Sequence, residues 1–315
     1  MHPATRLNLD ADRAGGVTEG PALALAPKPR MAAQAVSPLA RPPMGPARRI
    51  AVWLWGALPH VLTATLSIGL FVAFWYFATK YKLDFYIRFT NIPSPGEVLD
   101  NASRLVNNEK FYNNMYVSLR RILLGFGIAT VSGVALGLLI GQYRWMKALM
   151  FPVFETLRPI PAIAWVPMAI MLWPTNETSI VFITFLGAFF PILLNTIHGV
   201  NNVDTVLLRA ARCLGVSEYG LLRQVVLPAA LPHIFTGLAV GMGVAWVSLI
   251  AAEMISGQYG IGYFTWEAYS LIEYADIAIG MIVIGVLGLL CSGAIRLLGN
   301  MLMPWMANSA NGERK

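Results

Sequence analysis

Charged side chains inside apolar stretches are the residues of this 315-residue sequence that point most directly to chemistry. Glu155 and Arg158 are three positions apart, so on a helix they share one face. A guanidinium plane binds oxyanions through paired hydrogen bonds, and a nearby carboxylate keeps such binding reversible. We interpret Arg158 as a candidate oxyanion contact. The alternative, equally open from the residues, is that the two charges only neutralise each other.

Glu253 is a third charge within an apolar run, and charges in such runs are costly and usually functional. We expect it to pair with Arg120, Arg121 or a backbone group, and a gating role and a structural role are both open. Tryptophan commonly anchors helices at membrane interfaces, which we favour for Trp266. The candidates to line a path are Glu155, Arg158, Trp165, Trp246 and Glu253.

Common catalytic signatures are missing from the sequence. It contains no H-E-x-x-H, no G-x-S-x-G and no G-x-x-x-x-G-K-[ST], which would mark a zinc site, a serine nucleophile and a phosphate loop. Cys213 and Cys291 lack metal-ligand spacing. We therefore expect a chain that is not an enzyme and binds no metal, cofactor or nucleotide itself.

Long apolar segments must position these side chains. Hydrophobic residues make up 57% of the sequence and charged residues 12%, and a bilayer core needs about 20 mostly apolar helical residues. The segments that qualify are 57–79, 117–141, 148–173, 179–200, 231–254 and 275–303. The sequence predicts an all-α integral membrane fold of about six spans, and several segments are too apolar all round for a soluble bundle. Prolines in the third segment favour it as a pathway helix, because they free backbone groups.

Basic residues indicate the orientation of the spans. They cluster before the first segment, between the second and third, and between the fourth and fifth, so both termini and the 201–230 loop are predicted to be cytoplasmic. The basic residues of 80–116 run against this pattern. The net charge of +7 follows segment ends and indicates no nucleic-acid partner. We predict a disordered cytoplasmic tail at 1–48, a transmembrane domain at 49–305 and a cytoplasmic tail at 306–315.

The 201–230 loop has the pattern of a rigid helix–turn–helix. Asp204 is placed to cap a helix that ends at Leu214, and Gly215 suits the left-handed position after it. Ser217 caps a second helix, with Glu218 in its first turn. Pro228 and Pro232 are expected to stop that helix and start the next span. A helix pair lying on the membrane surface is the alternative.

The same loop resembles the EAA loop of ABC importer permeases. That pattern is Glu-Ala-Ala, three residues, Gly, nine residues, Ile, one residue, Leu-Pro. The matching positions here are Arg209, Ala210, Ala211, Gly215, Val225, Leu227 and Pro228. Arg209 in place of glutamate is the main departure, and it removes any charge contact that the glutamate would make.

Further segments are similar to one branch of that family, the nitrate, sulfonate, taurine and bicarbonate importer permeases. They are 93–98 (PSPGEV), 118–126 (SLRRILLGF), 157–167 (LRPIPAIAWVP), 231–238 (LPHIFTGL), 245–254 and 260–262, and the resemblance covers about 50–305. It implies a type I importer permease core that works by alternating access, for a small oxyanion, with nitrate and sulfonates or taurine ranked first.

The resemblance also implies the partners. They are two ATPase subunits that carry ATP and Mg²⁺, a periplasmic substrate-binding protein and a second permease, which we expect to be another copy of this chain in the inner membrane. The rival interpretation is an ion-coupled secondary transporter or a channel for organic anions. It offers no reason for the 201–230 loop.

Overall fold

The computed structural model describes residues 46–82 and 91–304, with the side chains of 46–58 and 60 left aside. The chain divides into two compact units, 1–62 and 63–315, and the sites discussed below lie in the second. Most of the predicted N-terminal tail and all of the predicted tail at 306–315 lie outside the described residues. Within the predicted tail, 46–48 already belong to the first helix.

The described regular structure is helical throughout, and the long apolar runs form helices because only a helix satisfies its own backbone groups in lipid. The helices are α1 Pro46–Lys80, α2 Pro95–Leu105, α3 Glu109–Gln142, α4 Arg144–Leu157, α5 Val166–Leu172, α6 Asn176–Asn201, α7 Thr205–Cys213, α8 Glu218–Leu221, α9 Leu227–Ser256, α10 Ile261–Ser270 and α11 Tyr274–Leu302.

Five described helices are long and apolar enough to cross a membrane, and the count is six if one bent pair is a single broken span. The bent pair is the predicted third segment. There α4 and the helical stretch 162–172 meet at 87° instead of forming one straight helix. Pro159 and Pro161 explain the break, because neither can donate a backbone hydrogen bond and each ring crowds the preceding turn.

The core of the bundle is the contact of α3, α6 and α9. On α3, a small residue at every fourth position faces α6: Gly125, Ala129, Gly133, Gly137 and Gly141. A Cβ at Gly137 would lie 2.6 Å from the Cβ of Thr196, so only glycine permits this approach. Small residues thus let the backbones of α3 and α6 approach closely.

Two short helices, α2 and α10, were not predicted as helices. Ser94 and Glu97 form a reciprocal capping box that begins α2, an S-x-x-E signal present in the sequence. Gly260 precedes α10 with φ of 120°, a value that favours glycine. Both helices lie at the end of the bundle opposite the 201–230 loop.

Candidate functional site

A cavity of about 470 Å³ lies at the bend between α4 and α5. Arg158 ends α4, and Trp165 lies in the 3₁₀ turn Ala162–Trp165 that follows the break. The cavity is also lined by Asn195 and His198 of α6, which are polar, and by Val244 of α9, which is apolar. The broken backbone therefore borders a cavity, as irregular backbone in a membrane requires.

The predicted pairing of Glu155 with Arg158 is present. The Arg158 Nη1 to Glu155 Oε1 distance is 3.7 Å, and the two side chains are 56% and 51% exposed. Exposed pairs of this kind contribute about 0–1 kcal/mol. Among the described residues the guanidinium has no other ion-pair partner, and Arg158 borders the cavity.

The other predicted path residues occupy different surroundings. Trp165 borders the cavity. Trp246 is 5% exposed and lies within the hydrophobic core, and Glu253 is fully buried near the far end of α9. Helix packing encloses both, and neither borders the cavity beside Arg158. Their place on a translocation path stays a prediction. Trp266 is 45% exposed on α10, which suits the interfacial position favoured for it.

Glu253 belongs to a cluster that joins three spans. Arg121 Nη1 donates to Glu253 Oε1 at 2.9 Å, while its Nε donates to Glu177 Oε2 at 3.1 Å. The Ser118 hydroxyl lies 2.8 Å from Glu253 Oε1. We call Ser118, Arg121, Glu177 and Glu253 the carboxylate clamp. It ties α3 to α6 and α9 at the end of the bundle opposite the 201–230 loop.

The turn between α9 and α10 closes over this clamp. The Gly262 N–H donates to Glu253 Oε2 at 2.9 Å, and Arg121 Nη1 donates to the Tyr259 carbonyl at 2.6 Å. A Cβ at Gly260 would overlap the Glu253 carboxylate. Of the pairing alternatives for Glu253, the structure therefore selects Arg121 and a backbone N–H, whereas Arg120 pairs with Glu177 at 3.2 Å.

The predicted helix–turn–helix of the 201–230 loop is confirmed. Asp204 Oδ1 accepts from the Val206 N–H at 2.8 Å and starts α7. The turn after Leu214 has Gly215 at φ of 77°, with the Gly215 N–H donating to the Arg212 carbonyl and the Val216 N–H to that of Ala211. This bond pattern is a Schellman motif.

Ser217 begins the second helix of the loop as predicted. Its hydroxyl accepts from the Gly220 N–H at 3.2 Å, and Glu218 stands in the first turn. Arg212 and Glu218 lie 3.5 Å apart and bridge α7 and α8. The predicted stop at Pro228 and Pro232 is wrong. A π turn, Leu222–Val226, carries α8 into α9 without a break, and both prolines lie within α9.

Apolar side chains point outward from this loop. Val206, Leu207, Leu214 and Tyr219 are 66%, 54%, 83% and 72% exposed. Ala211, Leu221 and Val226 face inward and hold the two helices on the bundle. We call the four outward side chains the loop patch. The remaining predicted loop residues, Arg209 and Ala210, are exposed, and Leu227 and Pro228 are half-buried.

Sequence reasoning missed several of these residues. Glu177 was passed over because its partner Arg121 is 56 positions away. Asn195 and His198 are three positions apart in an apolar helix, which is also the spacing of Glu155 and Arg158. That spacing could have indicated a shared polar face on this helix. Ser118 carried no local signal.

Comparisons with known proteins agree with this architecture. A family model described as "Binding-protein-dependent transport system inner membrane component" matches residues 133–308. The nitrate import permease protein NrtB of Synechocystis sp. is 34% identical over 255 residues, covering 78% of this chain and 90% of that protein. The bicarbonate transport system permease protein CmpB of Synechococcus elongatus is 43% identical over 174 residues, covering 55% and 63%.

A solved structure extends the comparison to the fold. The bacterial alginate ABC transporter, in complex with an alginate pentasaccharide-bound periplasmic protein, contains a chain that matches with a TM-score of 0.52. The match covers 82% of this chain and 96% of that one at 13% identity. At this identity the likeness concerns the fold alone.

Proposed function

The chain belongs to the family of binding-protein-dependent transport system inner membrane components, and from that premise we propose how it works. It is a multi-pass inner-membrane permease of an ABC importer. In the proposal, the 201–230 loop receives the force of a separate ATPase, which carries ATP and Mg²⁺. A cavity beside the broken span admits a small oxyanion.

The loop patch is the observation on which the coupling proposal depends. Four large apolar side chains are exposed on two short helices, at the end of the bundle where the loop extends from the spans. Exposed apolar clusters of this kind mark protein–protein contacts. The capped, hydrogen-bonded turn makes the loop stiff, and force passes between subunits only through packed elements.

The substrate proposal combines the cavity with the named relatives. NrtB and CmpB are named for nitrate and bicarbonate, both small planar oxyanions. Arg158, Asn195 and His198 give the cavity hydrogen-bond donors, and its remaining walls are largely apolar. A guanidinium suits a planar oxyanion through paired hydrogen bonds. We propose nitrate first and bicarbonate second, while sulfonates and taurine stay lower because no relative described above is named for them.

The assembly follows from the family and from the charges. We propose that both termini and the 201–230 loop are cytoplasmic, because Arg209, Arg212 and Arg223 lie on that loop. A periplasmic binding protein then meets the opposite end, where α2 and α10 lie. A second copy of this chain is proposed to complete the path, as the resemblance to importer permeases implies.

Copurification tests the coupling proposal. The chain is expressed with the ATPase subunits of the same organism and purified through a tag on the permease alone. Gly215→Val places a β-branched residue at φ of 77° and breaks the turn, at a cost of about 1–2 kcal/mol or more. We expect the native chain to retain the ATPase and the valine variant to lose most of it.

Gly215→Asn is the matched control, because asparagine tolerates the left-handed conformation and nothing lies within 4 Å of a Cβ there. It should retain the ATPase nearly as well as glycine. Equal retention by the valine and asparagine variants would place the coupling contact elsewhere. Transport by the purified chain in liposomes without ATP would contradict the importer proposal itself.

A further inference from the structure

A groove of about 770 Å³ runs between α9 and α11 on the half of the bundle nearest the 201–230 loop. Its floor is closed by buried Ile295 and Gly299 of α11, and by Met303 directly after that helix, against Phe235 of α9. A Cβ at Gly299 would lie 3.0 Å from Phe235 Cδ1, so the two helices approach closely here. The groove is thus a fixed feature of the packing.

The groove has one apolar part and one polar part. Phe235, Ala239 and Val240 of α9 form an apolar wall along it. Arg296 and Asn300 of α11 stand one turn apart on the exposed rim, with Thr236 opposite. The lining is therefore amphipathic, with its charge near one end.

Arg296 is the charged residue of the groove, and its charge determines which ligand would bind there. It is the single Lys or Arg of α11, and in the part of the chain that the structure describes no ion pair or hydrogen bond engages its guanidinium. Six positions separate it from Leu302 at the helix end, which corresponds to about 9 Å along the axis. That depth is close to the headgroup region, where an uncompensated cation meets lipid phosphate.

We propose that this groove binds one anionic phospholipid, with its phosphate on Arg296 and Asn300 and an acyl chain along Phe235, Ala239 and Val240. Charge complementarity selects the headgroup, because the rim carries a cation without an acid beside it. The apolar wall selects a lipid over a free anion. Basic pockets between membrane helices bind anionic headgroups in the same way.

The site has a consequence for transport. Val240 of α9 borders both this groove and the cavity that is lined by Arg158. The proposed lipid and the proposed substrate would therefore both contact α9. A bound lipid stiffens α9 beside that cavity. This consequence depends on the proposed function, whereas the binding of lipid does not.

Native mass spectrometry of the purified full chain tests the binding. The protein is delipidated, then incubated with phosphatidylglycerol, with phosphatidylcholine of the same acyl chains, or with inorganic phosphate. We expect one tightly retained phosphatidylglycerol, little phosphatidylcholine and no retained phosphate. Arg296→Gln should lower phosphatidylglycerol retention at least about fivefold, and Arg296→Lys should retain most of it.

Two further variants make the result specific. Arg144→Gln removes an exposed arginine at the start of α4, outside the groove, and should change retention less than twofold. Ala239→Phe fills the apolar wall without touching the charge and should also reduce retention. Equal retention of the two lipids, equal effects of Arg296→Gln and Arg144→Gln, retention of free phosphate, or a groove covered by a second copy of the chain would each overturn the proposal.

Discussion

Two of the ion pairs described above differ in burial and therefore in energy. Arg121 and Glu253 are 3% and 0% exposed, and their atoms lie 2.9 Å apart. Glu155 and Arg158 form an exposed pair at 3.7 Å. Removing one member of a buried pair leaves a charge with neither partner nor water, which typically costs about 3–5 kcal/mol. Removing one member of an exposed pair costs about 0–1 kcal/mol.

These magnitudes predict that Arg121→Gln destabilises the protein strongly, because the buried Glu253 then loses its cation, whereas Glu177 keeps Arg120. The temperature at which half of the detergent-purified protein leaves solution should fall by several degrees. Glu155→Gln serves as the control and should leave that temperature nearly unchanged. The double variant Arg121→Gln, Glu253→Gln should recover part of the loss. Similar temperatures for Arg121→Gln and Glu155→Gln would mean that the clamp does not hold the spans together.

At the ends of the helices, the local sequence was sufficient to predict the structure wherever one residue determines the backbone conformation. The caps at Asp204 and Ser217 and the left-handed Gly215 were predicted correctly, since each involves atoms within a few positions of the chain. The predicted bounds of the fourth segment, 179–200, agree with α6, Asn176–Asn201, to within three residues.

The parts that escaped prediction depend on distant packing. Prolines indicated a break in the third segment, but the 87° angle depends on how α5 and the turn before it rest on α6. Pro228 was expected to end a helix, yet the π turn Leu222–Val226 lets the chain continue. The clamp joins Arg121 to acids 56 and 132 positions away, a separation for which one sequence offers no local pattern.

The break in the third span makes a prediction about transport, because it places Arg158 at the cavity. Arg158→Gln shortens the side chain and loses the charge and the paired donors, so uptake of ¹⁵N-labelled nitrate by cells expressing the whole importer should fall roughly tenfold. Arg158→Lys should fall by less, since an ammonium keeps the charge without the planar fork. Copurification of the ATPase should be unchanged in both variants. Nitrate uptake unaffected by Arg158→Gln would remove Arg158 from the path.

The orientation of the entire chain can be tested with a cysteine that it already contains. Cys213 is exposed at the end of α7, and Cys291 lies half-buried in the span α11, so a membrane-impermeant maleimide should label Cys213 alone. With the 201–230 loop in the cytoplasm, labelling occurs in inside-out vesicles and not in intact cells.

Cys213→Ser abolishes the signal and controls for Cys291. Ser270→Cys in the Cys213→Ser background reports the opposite end, because Ser270 ends α10, and it should be labelled in intact cells. Labelling of Cys213 from outside would invert the topology and leave the ATPase no access to the loop patch. The predicted labelling pattern would support the cytoplasmic orientation of the loop. Protection of Cys213 by added ATPase subunits in the same vesicles would support the coupling contact.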